Sequence, residues 1–244
     1  MTVNGLDKTQ VRTPKYNHTQ HEPMRRFLRF LLKWIGFTLL AKINKVEGVE
    51  NVPQTGSAIL MINHIALIDP ILVLHLVPRN IVPMAKVEVY DYPIIGILPK
   101  MWGVIPVRRE EIDRRAIQQT LQVIESGEIV LLAPEATRSP QLKQGKEGVA
   151  YVASRTQTPV IPVAVSGTTG FPTLPFTKNW KQPGAVVKFG RPFIFRKDLQ
   201  HASREQLRKM MDEAMYILAS LLPAEQRGVY QDLEQATQDT IEWL

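Results

Sequence analysis

The amino-acid sequence predicts an α/β fold in which a central, mostly parallel sheet is flanked by helices. Short apolar runs typical of strands alternate with segments of helical periodicity, which is the pattern of a parallel sheet covered on both faces. Residues 159–165 (PVIPVAV) are apolar throughout, as expected for a central strand buried on both sides. A chain of 244 residues can bury one sizeable core, so we expect a single main domain.

Each predicted element rests on a local pattern. Strands are assigned to apolar runs bounded by turn residues, at 46–53, 58–62, 81–87, 104–107, 128–133, 159–165 and 186–189. Helices are assigned where apolar residues recur every three or four positions, at 24–43, 93–100, 110–126, 149–156 and 203–221. A further helix begins at Asp69, the expected N-cap, with Pro70 at its first position. Residues 171–182 have no periodicity and are predicted to form a loop.

Composition divides the chain into four segments. Residues 1–23 are polar and are expected to form a flexible N-terminal arm. Residues 24–44 are predicted to form an amphipathic, strongly apolar helix, and residues 45–222 form the main domain. Residues 223–244 form an acidic C-terminal tail that either packs on the domain or trails from it.

The charge and the cysteine content limit the classes of function. The chain has no cysteine, which excludes a disulfide, a thiolate nucleophile and a cysteine-based zinc site. Its net charge of +7 favours an anionic partner, such as nucleic acid, anionic lipid or a phosphorylated substrate. A nucleic-acid binder should interleave aromatic and basic residues on an exposed strand or loop. Such interleaving occurs only in the helix at 27–37, so we expect no nucleic-acid partner.

The N-terminal helix has two interpretations. It is either an amphipathic helix that faces the core, or a helix that lies in the headgroup region with Lys and Arg directed toward lipid phosphates. Residues 1–50 hold nine Lys and Arg against four Asp and Glu, and no apolar stretch reaches the roughly 18 residues of a membrane span. We therefore expect association with anionic lipid on the cytoplasmic face of the cell membrane, and leave open whether the helix spans or lies flat.

His64 and Asp69 form the first candidate site. Both follow the apolar run at 58–62, and a carboxylate five residues on can hold one ring nitrogen so that the other accepts a proton from a hydroxyl. No serine accompanies the pair, so the hydroxyl would come from a substrate. The simpler interpretation is that Asp69 only caps its helix. A metal site is not expected, because two ligands without a third make a poor zinc or iron site.

Polar residues follow four predicted strands. They are His64, Lys86, Arg109 and residues 135–138. Ligands bind beyond the carboxyl ends of the strands in sheets of this kind, so these residues are expected to meet at one edge. Taken alone, Arg108 and Arg109 could equally form surface ion pairs with Glu110 and Glu111, and 135–138 could be a capping turn.

Four sequence blocks, in this order, resemble the glycerolipid acyltransferase family, in particular bacterial 1-acylglycerol-3-phosphate acyltransferases. The blocks are Asn63-His64 to Asp69, GVIPVRR at 103–109, PEATRS at 134–139 and TPVIPVAV at 158–165. The resemblance covers roughly residues 45–190, with a weaker likeness at 222–230 (LPAEQRGVY). It implies that residues 45–222 are an acyltransferase domain.

The resemblance also implies a role for each candidate residue. His64 would be the general base and Asp69 its orienting partner, with Asn63 and Gly103 in support. The acceptor would be held by Lys86 on its phosphate together with Arg109, Glu135, Thr137 and Arg138. The implied reaction moves a fatty acyl group from acyl-CoA or acyl-carrier protein to the sn-2 hydroxyl of 1-acylglycerol 3-phosphate, giving phosphatidic acid. Apart from the thioester co-substrate, no cofactor is implied.

Two departures from the family pattern affect the acceptor site. Pro106 stands where the family usually has an aromatic residue, and Ala136 where it usually has glycine. Glycine adopts a positive φ and lets a substrate approach the backbone, whereas alanine resists both. Another lysophospholipid or a lyso-aminolipid therefore remains an alternative acceptor, and a non-enzymatic basic lipid-binding protein is the alternative from another class.

Overall fold

The structure, a computed structural model, describes residues 18–36, 41–93, 96–108, 112–174 and 176–244. Its strands are β1 (Ile43–Glu47), β2 (Ala58–Ile62), β3 (Ile81–Lys86), β4 (Ile105–Val107), β5 (Ile129–Leu132), β6 (Val160–Ser166), β7 (Ala185–Phe189), β8 (Phe193–Phe195) and β9 (Ile241–Trp243). Its α-helices are α1 (His18–Leu31), α2 (Asp69–Leu76), α3 (Ile97–Trp102), α4 (Arg114–Glu125), α5 (Gly148–Thr156) and α6 (Arg204–Leu221). A π-helical segment, Leu32–Gly36, continues α1.

The strands of the described residues form one sheet. Its order is β1-β7-β6-β2-β5-β3-β4, and β8 joins β6 to β9. The central pairs β6/β2, β2/β5, β5/β3 and β3/β4 are all parallel, whereas β7 and β8 run antiparallel to β6. The predicted α/β fold with a mostly parallel sheet is thereby confirmed.

Strand β2 lies at the centre of the core. Its side chains alternate between the two faces of the sheet, as the two-residue period of a strand requires. Ile59 and Met61 pack in a cluster with apolar residues of α4, α5 and α6, and Leu60 and Ile62 pack with residues of α1, α2 and α3. Helices thus cover both faces, which explains why β2 and β6 are apolar without alternation.

The parallel strands also define the edge where the candidate site lies. Strands β2, β5 and β6 run side by side, with Met61 opposite Leu132 and Ile62 opposite Val163. Their carboxyl ends therefore lie close together, and residues 63–68, 133–147 and 167–184 leave the sheet from that edge. Antiparallel β7 begins at the same edge.

The N-terminal helix differs from its predicted bounds. It begins at His18 rather than at residue 24, so residues 18–23 of the predicted flexible arm belong to the helix. Glu22 explains the earlier start, because its carboxylate lies 2.9 Å from Arg26 and 3.4 Å from Arg29, one and two turns later. The rest of the arm, 1–17, and residues 37–40 lie outside the described residues. Of the described helices, none has the length and apolar character needed to cross a bilayer.

The C-terminal tail packs on the domain. Strand β9 pairs with β8, and Ile241 is buried. The carboxylate of Glu213, on α6, accepts hydrogen bonds from Thr237 and from the backbone amides of Asp239 and Thr240. The sequence left open whether the tail packs on the domain or trails from it, and in the structure it packs.

Candidate active site

His64 and Asp69 contact each other in the loop that follows β2. His64 Nδ1 lies 3.1 Å from Asp69 Oδ2, and the backbone amides of Ile65 and Ala66 donate to the same oxygen at 2.6 and 2.7 Å. The N-cap of α2 is Ile68, and no side chain caps the helix. The expectation that Asp69 is the N-cap is therefore wrong, because its carboxylate turns back toward the histidine instead of forward to the helix amides.

The hydrogen bonds around Asp69 fix the state of the imidazole. Two amide N–H groups already point at Oδ2, so that oxygen acts as an acceptor and Nδ1 must carry the ring proton. In the neutral ring, Nε2 of His64 is then the nitrogen without a proton, and it can accept one. The side chain of Asp69 is 0% exposed whereas that of His64 is 14% exposed, so the ring and not the carboxylate is open to a ligand.

Asn63 joins the end of β2 to the end of β6. Its side-chain amide donates to the carbonyl of Val165 at 2.8 Å, and its side-chain oxygen accepts from the amide of Val165 at 2.7 Å. The residue is buried, so its amide extends the strand pairing by one position. His64 is thereby held at a fixed height above the sheet edge.

The loop after β5 contacts the loop that carries His64. The amide of Ser139 donates to the carbonyl of His64 at 2.8 Å. Glu135 is buried, and its Oε2 accepts from the amide of Lys143 at 2.9 Å. Burial raises the pKa of Glu135 to about 7, although the backbone amides of Lys143 and His64 oppose this change. Thr137 and Arg138, between Glu135 and Ser139, are exposed at this edge.

Ala136 has a left-handed backbone conformation, with φ at +54°. The turn thus needs the conformation that glycine provides at little cost, and alanine adopts it in spite of its side chain. Alanine therefore holds a turn conformation that favours glycine, and its methyl group lies next to Glu135 in the chain.

Gly103 lies where α3 meets α1. It ends α3 with φ at +72°, and a Cβ added there would lie 2.9 Å from Arg25 Nη2. Arg25 itself is fully buried, and its Nε donates to the carbonyl of Trp102 at 2.6 Å. Gly103 therefore belongs to the contact that fixes the N-terminal helix on the domain.

The structure describes only some of the other cations predicted to bind the acceptor. Lys86 is the last residue of β3, and its ammonium lies 2.8 Å from the carboxylate of Glu88. Arg109 lies outside the described residues, whereas the amide of Arg108 donates to Asp113 at 3.0 Å. Arg138 is the predicted cation whose position the structure ties to His64, through the amide of the adjacent Ser139.

Sequence reasoning did not find the residues that hold the loop after β5. The amides and carbonyls of this loop bind the C-terminal segment: the amide of Leu142 donates to the carbonyl of Gln226, and the carbonyl of Leu142 accepts from Val229. Arg208 Nη1 donates to the carbonyl of Gly145 at 2.6 Å. Hydrogen bonds between backbone groups cannot be predicted from residue types. The weak likeness at 222–230 was therefore the only sequence signal for these contacts.

The chain was compared with known proteins. The family model described as Acyltransferase matches residues 43–166, about half of the chain, and includes all four sequence blocks. The chain belongs to the acyltransferase family. The resemblance read from the four blocks is confirmed.

Several curated relatives of this chain are 1-acyl-sn-glycerol-3-phosphate acyltransferases. The chloroplastic protein of Arabidopsis thaliana is 31% identical over 59% of this chain and 42% of its own length. The protein of Borreliella burgdorferi is 31% identical, over 55% and 54%. The protein of Bacillus subtilis is 27% identical, over 70% and 83%. The chain thus spans about half the length of the first two relatives and most of the third.

A solved structure supports the fold. The crystal structure of PlsC, the 1-acyl-sn-glycerophosphate acyltransferase of Thermotoga maritima, has a TM-score of 0.56 to this chain. The similarity covers 82% of this chain and 78% of that one at 23% sequence identity.

Proposed function

We propose that the protein transfers a fatty acyl group from acyl-CoA or acyl-carrier protein to the sn-2 hydroxyl of 1-acylglycerol 3-phosphate, giving phosphatidic acid. The observation that carries the proposal is the contact between His64 Nδ1 and Asp69 Oδ2, which leaves Nε2 as a base at the edge of the sheet. The names of the curated relatives, 1-acyl-sn-glycerol-3-phosphate acyltransferases, support the choice of acceptor.

The reaction needs one proton to move twice. His64 Nε2 takes the proton of the acceptor hydroxyl while the hydroxyl oxygen attacks the carbonyl carbon of the thioester. The C–S bond then breaks, and the imidazolium returns the proton to the leaving thiolate. The buried carboxylate of Asp69 stabilises the imidazolium in between, and a base so placed contributes about 10² to 10⁴ in rate.

The acceptor phosphate would be bound by cations at the same edge. Arg138 is exposed two residues after Ala136 and directly before Ser139, which donates to His64. Arg109 and Lys86 complete the proposed set, because guanidinium groups bind phosphate oxygens in pairs and an ammonium adds a point charge. The buried Glu135 would act on the acceptor through the position of its loop.

We also propose that α1 lies on the cytoplasmic face of the membrane. Three of its large apolar side chains are exposed, Met24 (37%), Phe27 (54%) and Phe30 (57%), and Trp34 (64%) of the π-helical segment that follows continues the same spacing. Arg26 and Lys33 are exposed beside them, while the opposite side of the helix buries Leu28. Apolar side chains flanked by cations are the composition of a helix in the lipid interface.

The proposal is tested by His64→Ala. Thiol release and product mass are measured with CoA and carrier-protein thioesters and a panel of lysophospholipid and lyso-aminolipid acceptors. We expect the variant to lose at least roughly 10²-fold in kcat while it still binds vesicles. The control is His201→Ala, an exposed histidine after β8, which should keep full activity. Unchanged acyl transfer by the His64 variant would exclude this base, and a preference for another acceptor would correct the substrate.

A further inference from the structure

The loop between β6 and β7 exposes two large apolar side chains at the same edge as His64. β6 ends at Ser166, beside the end of β2. Phe176 is 99% exposed and Leu174 is 63% exposed. A soluble surface gains nothing from a phenylalanine that is wholly in water, so adjacent exposed apolar side chains indicate a contact with a partner. We call residues 171–182 the aromatic loop.

Contacts at its base fix the shape of the aromatic loop. Phe171 is buried and packs edge-to-face against Trp180, with ring centroids 6.2 Å apart. The hydroxyl groups of Thr173 and Thr177 are 2.8 Å apart, and Thr177 also donates to the carbonyl of Leu174 at 2.9 Å. The loop therefore carries its own hydrogen bonds, as compact surface loops do, and these hold the tip away from the core.

The charge of the aromatic loop indicates which class of partner it contacts. Residues 167–184 contain Lys178 and Lys181 and no aspartate or glutamate, and both lysines are exposed. An apolar tip with lysines behind it matches the interface of an anionic bilayer, where apolar side chains enter the acyl region and ammonium groups stay among the phosphates. An acidic protein surface would form ion pairs with the lysines but would leave the side chain of Phe176 exposed to water.

The aromatic loop lies on the same face of the sheet as α1. Phe171 and Trp180 pack in one apolar cluster with Leu28 and Leu31 of that helix. The base of the loop and the buried side of α1 thus lie on the same face of the sheet, and the loop leaves the sheet at the edge that carries His64.

We propose that the aromatic loop is a second membrane contact. Leu174 and Phe176 enter the acyl region of an anionic leaflet, and Lys178 and Lys181 bind its headgroups. With α1 this gives two contacts, so the catalytic edge faces the leaflet that contains the lysophospholipid. The role of this orientation in catalysis depends on the acyl transfer proposed above. The contact between the loop and lipid does not depend on it.

The test is the double variant Leu174→Ser and Phe176→Ser. Binding of the full chain to phosphatidylglycerol vesicles is measured by co-sedimentation, and we expect it to weaken by roughly tenfold or more, since two large apolar side chains no longer leave water. The matched control is Val229→Ser, which removes a 64%-exposed apolar side chain next to Tyr230, a residue of the cluster on the other face of the sheet. It should bind as the unmodified chain does.

Other outcomes separate the alternatives. Lys178→Gln with Lys181→Gln should weaken binding to anionic vesicles and leave binding to neutral ones unchanged.

Melting temperatures equal to that of the unmodified chain show that the loop variants are folded. Unchanged vesicle binding by the serine variant overturns the proposal, and if that variant also loses transfer from carrier-protein thioesters alone, the loop contacts the carrier protein instead. If no acceptor is acylated by the unmodified chain, the proposed function fails while the vesicle result still stands.

Discussion

Glu135 gives the protein a pH-dependent stability at the scale of a single residue. Burial raises the pKa of this carboxyl from 4.5 to about 7, so the folded state resists its ionisation. The unfolded chain ionises near 4.5 and the folded one only near 7. Stability is therefore fully present below the lower pKa, falls as pH rises between the two, and remains about 3 kcal/mol lower above pH 7.

Glu135→Gln should remove this dependence. Its side-chain oxygen can still accept from the Lys143 amide, but no charge develops in the buried site. Urea unfolding at pH 5 and pH 8 should show a loss for the unmodified chain and a much smaller one for the variant. Glu205→Gln, an exposed residue of α6, serves as the control and should keep the original slope. Parallel pH profiles for both variants and the unmodified chain would contradict a buried neutral carboxyl.

Ala136→Gly should stabilise the chain. The left-handed conformation costs an L-residue about 1 to 2 kcal/mol that glycine avoids, and part of this gain is lost to the greater freedom of glycine when unfolded. We expect a net gain of about 1 kcal/mol, or a rise in Tm of roughly 2–4 °C in differential scanning calorimetry. Ala136→Val, which is branched at Cβ, should lower Tm. A glycine variant that melts below the unmodified chain would show that the turn carries no strain.

The spacing of His64 and Asp69 was enough to predict that the two residues form a pair, but not how they meet. The sequence could not show that Oδ2 also accepts from Ile65 and Ala66, because that depends on the backbone angles of the loop. Nor could it show that Glu135 points inward, since its partner is the amide of Lys143, a group that every residue but proline has.

At the scale of elements, length decided what the sequence could predict. The long central strand β6 and the helix α6 were predicted within one or two residues, since each carries a clear apolar pattern. β8 and β9 were missed, because each has only three residues and shows no visible period, whereas the equally short β4 lies in a longer apolar run, 104–107, that was predicted. The helix predicted from residue 110 has its first described turn at Arg114, where Asp113 caps the amides of Arg115 and Ala116.

The packed tail depends on one buried carboxylate. Glu213 is 2% exposed and accepts hydrogen bonds from residues that lead into β9. Glu213→Ala leaves these donors unpaired, which should cost about 3 kcal/mol. Urea denaturation measures the loss, and Glu205→Ala, an exposed substitution on the same helix, should change stability by less than about 0.5 kcal/mol. Equal stabilities of the two variants would mean that the tail adds nothing to the fold.

At the scale of the whole molecule, basic residues and exposed aromatic side chains occur in the same N-terminal segment of the chain. Nine of the basic residues lie within residues 1–50, and the exposed aromatic side chains of α1 lie in the same segment. The sequence predicted this combination, but not that the loop after β6 adds Phe176 to it, since an apolar residue in a loop is as often buried as exposed. The base of the loop and α1 belong to one apolar cluster, which brings together residues that are distant in the sequence.

Ionic strength should separate the electrostatic and apolar parts of the proposed membrane binding. With a net charge of +7, the protein is attracted to anionic vesicles, and the attraction is screened as the Debye length falls from about 10 Å at 0.1 M salt to about 3 Å at 1 M. Burial of Phe27, Phe30 and Trp34 in lipid does not weaken with salt. We therefore expect affinity for phosphatidylglycerol vesicles to fall by roughly tenfold or more over this range, toward the salt-independent affinity for phosphatidylcholine vesicles. Arg26→Gln should flatten the slope, and a salt-independent affinity for anionic vesicles would leave the apolar surface as the sole source of binding.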